Sequence, residues 1–126
     1  MGLAVLSSNT SIKVNTAVNG VATSTIANNT VTLYTAPANA YAIVQLVWFG
    51  VAGSTATYKI AGNALAIAST GASGSYFAGQ SNNSIVGPVV LGGFYVGPGQ
   101  VLSVTFAGAV NGNIARATGV EFINSP

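Results

Sequence analysis

The sequence predicts an all-β, antiparallel sandwich or barrel, and three observations carry that prediction. Apolar and polar residues alternate with a period of two in several short runs. Turn-forming residues divide those runs at intervals of about 8 to 12 residues. No stretch sustains the 3.6-residue period of an amphipathic helix. A length of 126 residues suits one domain that can bury a core without crosslinks, and the chain has no Cys to make them.

Taken in order, residues 12 to 18 alternate first, with Ile12, Val14, Thr16 and Val18 sharing one face. Asn19-Gly20 then stands as a hairpin signal. Composition shifts near residue 29: no aromatic precedes it, whereas all five Tyr, all five Phe and the single Trp follow. The division this implies is 1–29 as an N-terminal arm or outer hairpin and 30–126 as the main sandwich. Thr30 to Tyr34 sets Val31 and Leu33 together, and Thr55 to Ile60 turns Ala56, Tyr58 and Ile60 inward. From Tyr41 to Phe49 both faces are apolar, with Gln45 the one polar break. Such a run predicts a strand covered on both sides, by a second sheet and by a partner or loop. Ser69 to Asn83, rich in Gly, Ser and Asn, predicts an exposed loop whose Tyr76-Phe77 pair needs cover. Gly97-Pro98-Gly99-Gln100 predicts a type II turn, with Pro98 setting φ and Gly99 taking positive φ. Val101 to Phe106 alternates cleanly, with Leu102, Val104 and Phe106 inward. Ile114 to Ile123 predicts the last strand, with Arg116 and Thr118 interrupting an apolar face.

Composition excludes most chemistry. The chain contains no His, no Cys and no Asp; its one acidic residue is Glu121 and its bases are Lys13, Lys59 and Arg116. General acid–base work needs a group that exchanges protons near neutral pH, and a hydroxyl nucleophile needs a base beside it. A carboxylate pair cannot be built from one carboxylate, and a transition-metal site needs His, Cys or several carboxylates. The expectation is therefore a protein without enzymatic activity, cofactor or metal. Three scattered bases give a net charge of +2 and no basic run, so nucleic-acid binding is not expected. No apolar run reaches the roughly 20 residues a membrane helix needs. The opening Met1–Leu6 lacks the basic flank and apolar length of a signal peptide.

What remains is an unusual surface. Charged residues make up 3% of the chain, against roughly a quarter in ordinary globular proteins, while 50% is hydrophobic and mean hydropathy is +0.60. A free monomer normally spreads charge of both signs over its surface. Two readings compete, a neutral surface kept soluble by hydroxyls and amides and a chain that works inside an assembly with much of its surface covered; the abundance of apolar residues favours the second. The candidate subunit contacts are Tyr41, Gln45, Trp48, Phe49, Tyr76, Phe77, Arg116 and Glu121. Arg116 and Glu121 stand five apart and face opposite ways in a regular strand, unless a bulge at Gly119 brings them together. Tyr34, Tyr41, Trp48, Tyr76 and Tyr95 offer a second use, as aromatic faces that stack on sugar rings.

Leu33 to Val44, reading Leu-Tyr-Thr-Ala-Pro-Ala-Asn-Ala-Tyr-Ala-Ile-Val, resembles the opening of small β-sandwich proteins in the virions of tailed phages. Gly97 to Val104 and Thr118 to Phe122 are similar to later strands of the same proteins. The resemblance spans roughly 33–123 and implies a jelly-roll-like sandwich, a place in the virion, and homo-oligomerisation, commonly as a trimer. It further implies contact with a major capsid protein, as a decoration or cement protein, or with tail proteins, as a fibre component.

Overall fold

The computed structural model describes residues 11–24, 28–71, 74–78, 88–108 and 112–125. Among the described residues all nine elements are strands: β1 (Ser11–Ser24), β2 (Thr30–Thr35), β3 (Ala40–Phe49), β4 (Ser54–Ile60), β5 (Asn63–Gly71), β6 (Gly74–Phe77), β7 (Val89–Val96), β8 (Val101–Gly108) and β9 (Asn113–Ser125). They form two antiparallel sheets, ordered β1-β9-β3-β7 and β2-β8-β4-β5-β6, packed face to face as a β-sandwich. The pairing wraps the chain around itself: β1 with β9, β2 with β8, β3 with β7 and β4 with β5. That is the strand order of a jelly roll, with β6 added at one edge.

Inward side chains of the two sheets make one core. Val44, Leu46 and Trp48 from β3 meet Tyr58 from β4, Phe77 from β6 and Leu102, Val104 and Phe106 from β8. Trp48 and Phe106 stand 6.3 Å apart between ring centres, and Tyr58 and Phe77 stand 5.9 Å apart. Both polar tips in this core are satisfied. Trp48 Nε1 donates to the Ser69 carbonyl at 3.3 Å, and Tyr58 OH donates to the Val47 carbonyl at 2.6 Å, each bond tying one sheet to the other. Burial therefore raises the Tyr58 hydroxyl well above the usual tyrosine range, against a smaller opposing effect of an Arg116 backbone hydrogen bond.

Turn chemistry follows the sequence in one place. Pro98-Gly99 forms the expected turn, with Gly99 at φ 74° and Gln100 N–H donating to the Gly97 carbonyl at 3.0 Å. Ala61-Gly62, with φ of 52° and 81°, links β4 to β5 as the two-residue turn a hairpin prefers.

Two expectations are corrected. Asn19-Gly20 is not a turn: β1 runs unbroken through it and pairs with β9 from Ser11 to Ser24. Gly20 is needed for another reason, because a Cβ there would lie 2.1 Å from the Leu33 carbonyl oxygen in the opposite sheet. Glycine at that position lets β2 pass close over β1. Residues 11–24 form one strand of the sandwich, with Val18 and Ala22 in the core; residues 1–10 and 25–27 fall outside the described residues. The expected loop from Ser69 to Asn83 is, in its described part, the hairpin of β5 and β6, and Phe77 takes its cover from the core.

Candidate functional site

Alternation along a strand gives each sheet of a sandwich an outer face, and the two outer faces here differ in kind. On the five-stranded sheet, register aligns Thr30 with Thr105 and Thr105 with Thr57, and places Thr32 beside Ser103. This face is paved with hydroxyls; Thr30 and Thr105 hydrogen-bond across the strands at 2.8 Å. On the four-stranded sheet the aligned outward residues are Tyr41 with Phe122, Ile43 with Val120, Gln45 with Thr118, Val47 with Arg116 and Phe49 with Ile114. Tyr95 and Val90 extend those rows onto β7, opposite Ile43 and Val47. Val14 and Val21 extend them onto β1, opposite Phe122 and Arg116.

Among the described residues the large apolar side chains left exposed are Ile12, Val14, Val21, Ile43, Phe49, Ile67, Val90 and Tyr95, and of these all but Ile67 belong to the outer face of the four-stranded sheet. Two depressions mark that face. One, of about 450 Å³, lies between β9, β3 and β7 and is lined by Ile43, Gln45, Gly93, Thr118, Val120 and Phe122. The other, of about 330 Å³, is lined by Val47, Phe49, Pro88, Ile114 and Arg116. At one end of the sheet three rings gather, with Tyr41 stacked on Phe122 at 5.4 Å and 5.6 Å from Tyr95.

A one-residue bulge on β1 builds the apolar face at that edge. Val14 pairs with Phe122 and Thr16 with Glu121, so Asn15 is an extra residue. Before the bulge Ile12 and Val14 point outward; after it Val18 and Ala22 point into the core. Asn15 itself reaches Glu121, donating from Nδ2 to Oε2 at 2.5 Å, while Tyr34 OH donates to Oε1 at 2.6 Å. Glu121 is 4% exposed. Its carboxylate thus joins β1 and β9 of one sheet to β2 of the other. Desolvation, then the hydrogen bond and charge of Glu121, raise the Tyr34 hydroxyl well above the usual tyrosine range. The trio acts as a clamp between the sheets.

Four of the eight expected contact residues, Tyr41, Gln45, Phe49 and Arg116, come together on the outer apolar face. Trp48 and Phe77 are fully buried, so both are core anchors and not contacts. Glu121 is likewise committed inward, and Tyr76 sits half-buried on the edge strand β6 of the other sheet. Arg116 and Glu121 do face opposite ways; β9 keeps its register past Gly119 and the bulge lies on β1 instead. Of the five aromatics considered for sugars, Tyr41 and Tyr95 meet. Sequence reading missed Ile43, Val90, Val120 and Phe122 as surface residues. An apolar row on a strand reads as the core row, and on β9 the true core row is Ala115, Ala117 and Glu121. Comparison with known protein families, curated proteins and solved structures returns no match, so no family is assigned.

Proposed function

We propose that this protein is a non-catalytic structural subunit that docks through the outer face of its four-stranded sheet. The observation that carries the reading is the segregation of exposed apolar side chains onto that one face. A contiguous apolar face of this kind marks a protein interface. The scarcity of acids and bases supports the absence of catalysis. The resemblance at Leu33–Val44, Gly97–Val104 and Thr118–Phe122 supports a place in a virion, on the capsid as a trimeric decoration protein. Jelly rolls also build viral capsids, although fold alone does not assign function. Attachment by apolar area and hydrogen bonds would then resist salt. The test is incorporation of Ile43→Ser and Phe49→Ser variants into the native particle. Loss of incorporation with an unchanged fold supports the reading; wild-type incorporation refutes it.

A second reading has its own observation, the cluster of Tyr41, Tyr95 and Phe122 beside Gln45 and Thr118. Stacked rings with amide and hydroxyl neighbours suit a sugar, which would make the protein a tail or fibre-tip module for host-surface glycans. A glycan array with wild type and Tyr95→Ala separates the two readings. Specific binding that the substitution removes favours glycan recognition.

A further inference from the structure

We propose that the outer face of the four-stranded sheet docks a different protein chain that brings a carboxylate to Arg116, and not a second copy of this chain. The inference rests on the docking reading above and adds the chemistry of the partner.

Arg116 projects outward from the middle of β9, exposed, between Val47 on β3 and Val21 on β1. It borders the depression of about 330 Å³ whose other walls are Val47, Phe49, Pro88 and Ile114. A guanidinium keeps its charge at any ordinary pH, so a partner that covers this face covers a cation. Doing so without a counter-ion is strongly unfavourable, whereas a carboxylate can engage the guanidinium with two parallel hydrogen bonds.

This chain has no acidic side chain to offer. Its single acidic residue, Glu121, is buried on the inner side of β9, with one oxygen held by Tyr34 and the other by Asn15. A second copy packed on the same face would bring another Arg116 and no carboxylate side chain. A two-fold contact uses the same patch on both subunits and would set like charges into one interface. Charge complementarity therefore selects a partner whose contact surface places Asp or Glu among apolar side chains. The apolar walls of the depression fix where those flanking side chains go.

The test uses two blocked peptides as probes, acetyl-Leu-Asp-Leu-Phe-amide and its Asp-to-Asn counterpart, titrated into the full chain and followed by NMR. Expected is binding of the Asp peptide at least about 5-fold tighter than the Asn peptide, from the charge-assisted pair. The shifts should centre on Val47, Phe49 and Ile114. Arg116→Gln should erase the difference between peptides while leaving the rest of the spectrum in place, and Arg116→Lys should restore part of it. Equal binding of the two peptides, or binding of neither, overturns the inference. Light scattering over a concentration series provides the other arm. A reversible dimer that Phe49→Ser abolishes would make a second copy the occupant, overturning the partner's identity while leaving docking through this face intact. Wild-type particle incorporation of Ile43→Ser and Phe49→Ser would instead remove the docking reading itself.

Discussion

The outer faces of the two sheets share a scaffold and differ in what they show to the outside. The five-stranded sheet presents Thr30, Thr32, Thr57, Ser103 and Thr105, short β-favouring side chains that keep a hydroxyl in water. The four-stranded sheet presents Ile43, Phe49 and Val90, which gain nothing from water, together with the ring of Tyr95. Hydroxyls thus make one face self-sufficient in a protein with only 3% charged residues. Polarity without charge is enough for a free surface, so low charge alone does not mark an interface. The marker is the concentration of exposed large apolar side chains on one face of a chain that covers the other largely with hydroxyls.

The comparison presumes one cooperative core behind both faces, and Trp48→Ala tests that with the largest expected effect. Loss of the fully buried ring, its contact with Phe106 and its bond to Ser69 should cost about 3–5 kcal/mol. Urea unfolding should remain a single transition; two transitions would mean that the sheets, and their faces, are separate units. Ile43→Ser with Phe49→Ser breaks the apolar face alone. Assembly should weaken by about 100-fold, as expected when two interface anchors are lost. Stability should hold within roughly 1 kcal/mol, because both side chains are already partly exposed. Sedimentation of particles with bound protein gives the first number and thermal unfolding the second.

Glu121→Ala tests the clamp that fixes the apolar edge. Asn15 and Tyr34 would lose their shared acceptor, at a cost of about 2–4 kcal/mol by urea denaturation. Alkaline titration gives a smaller and reversible version of the same strain. The hydroxyls of Tyr34 and Tyr58 are both raised in the folded state, so folding favours their protonated forms. Their contribution is intact below the ordinary tyrosine value of 10.0 and is lost as pH rises above it. Melting temperature should be flat from neutral pH to about 9 and fall beyond 10, and Tyr34→Phe should blunt the fall. Thr105→Val is the smallest change. It removes the exposed bond to Thr30 and should move stability by no more than about 0.5 kcal/mol and leave assembly untouched.

Much of this was legible in the sequence, and the failures share a cause. Val101–Phe106 and Thr55–Ile60 alternate with their apolar rows inward, as their period requires. Tyr41–Phe49 is apolar on both rows, which predicts cover on both sides, but β3 buries one row against the other sheet and leaves the second largely exposed. Periodicity assigns residues to rows without saying which row is inside. On β9 the inner row is Ala115, Ala117, Gly119 and Glu121, small residues and a carboxylate that hydropathy places outside. The carboxylate becomes acceptable inside through Asn15 and Tyr34, 106 and 87 residues away along the chain. Asn19-Gly20 failed for a similar reason, because its glycine answers to Leu33 in the other sheet and not to its own neighbours. Local patterns cannot report demands made by distant strands.

The pairing of β1 with β9 also sets an order in time. β9 lies between β1 and β3 and carries the central row of the apolar face, yet it follows the other eight described strands along the chain. Until it arrives, β1 has no partner in its sheet and β3 has β7 alone. Contacts of such long sequence separation form late and slowly. A nascent chain therefore holds the outer rows of β1 and β3 apart until translation reaches β9. The apolar face is therefore continuous only once β9 is in place between β1 and β3.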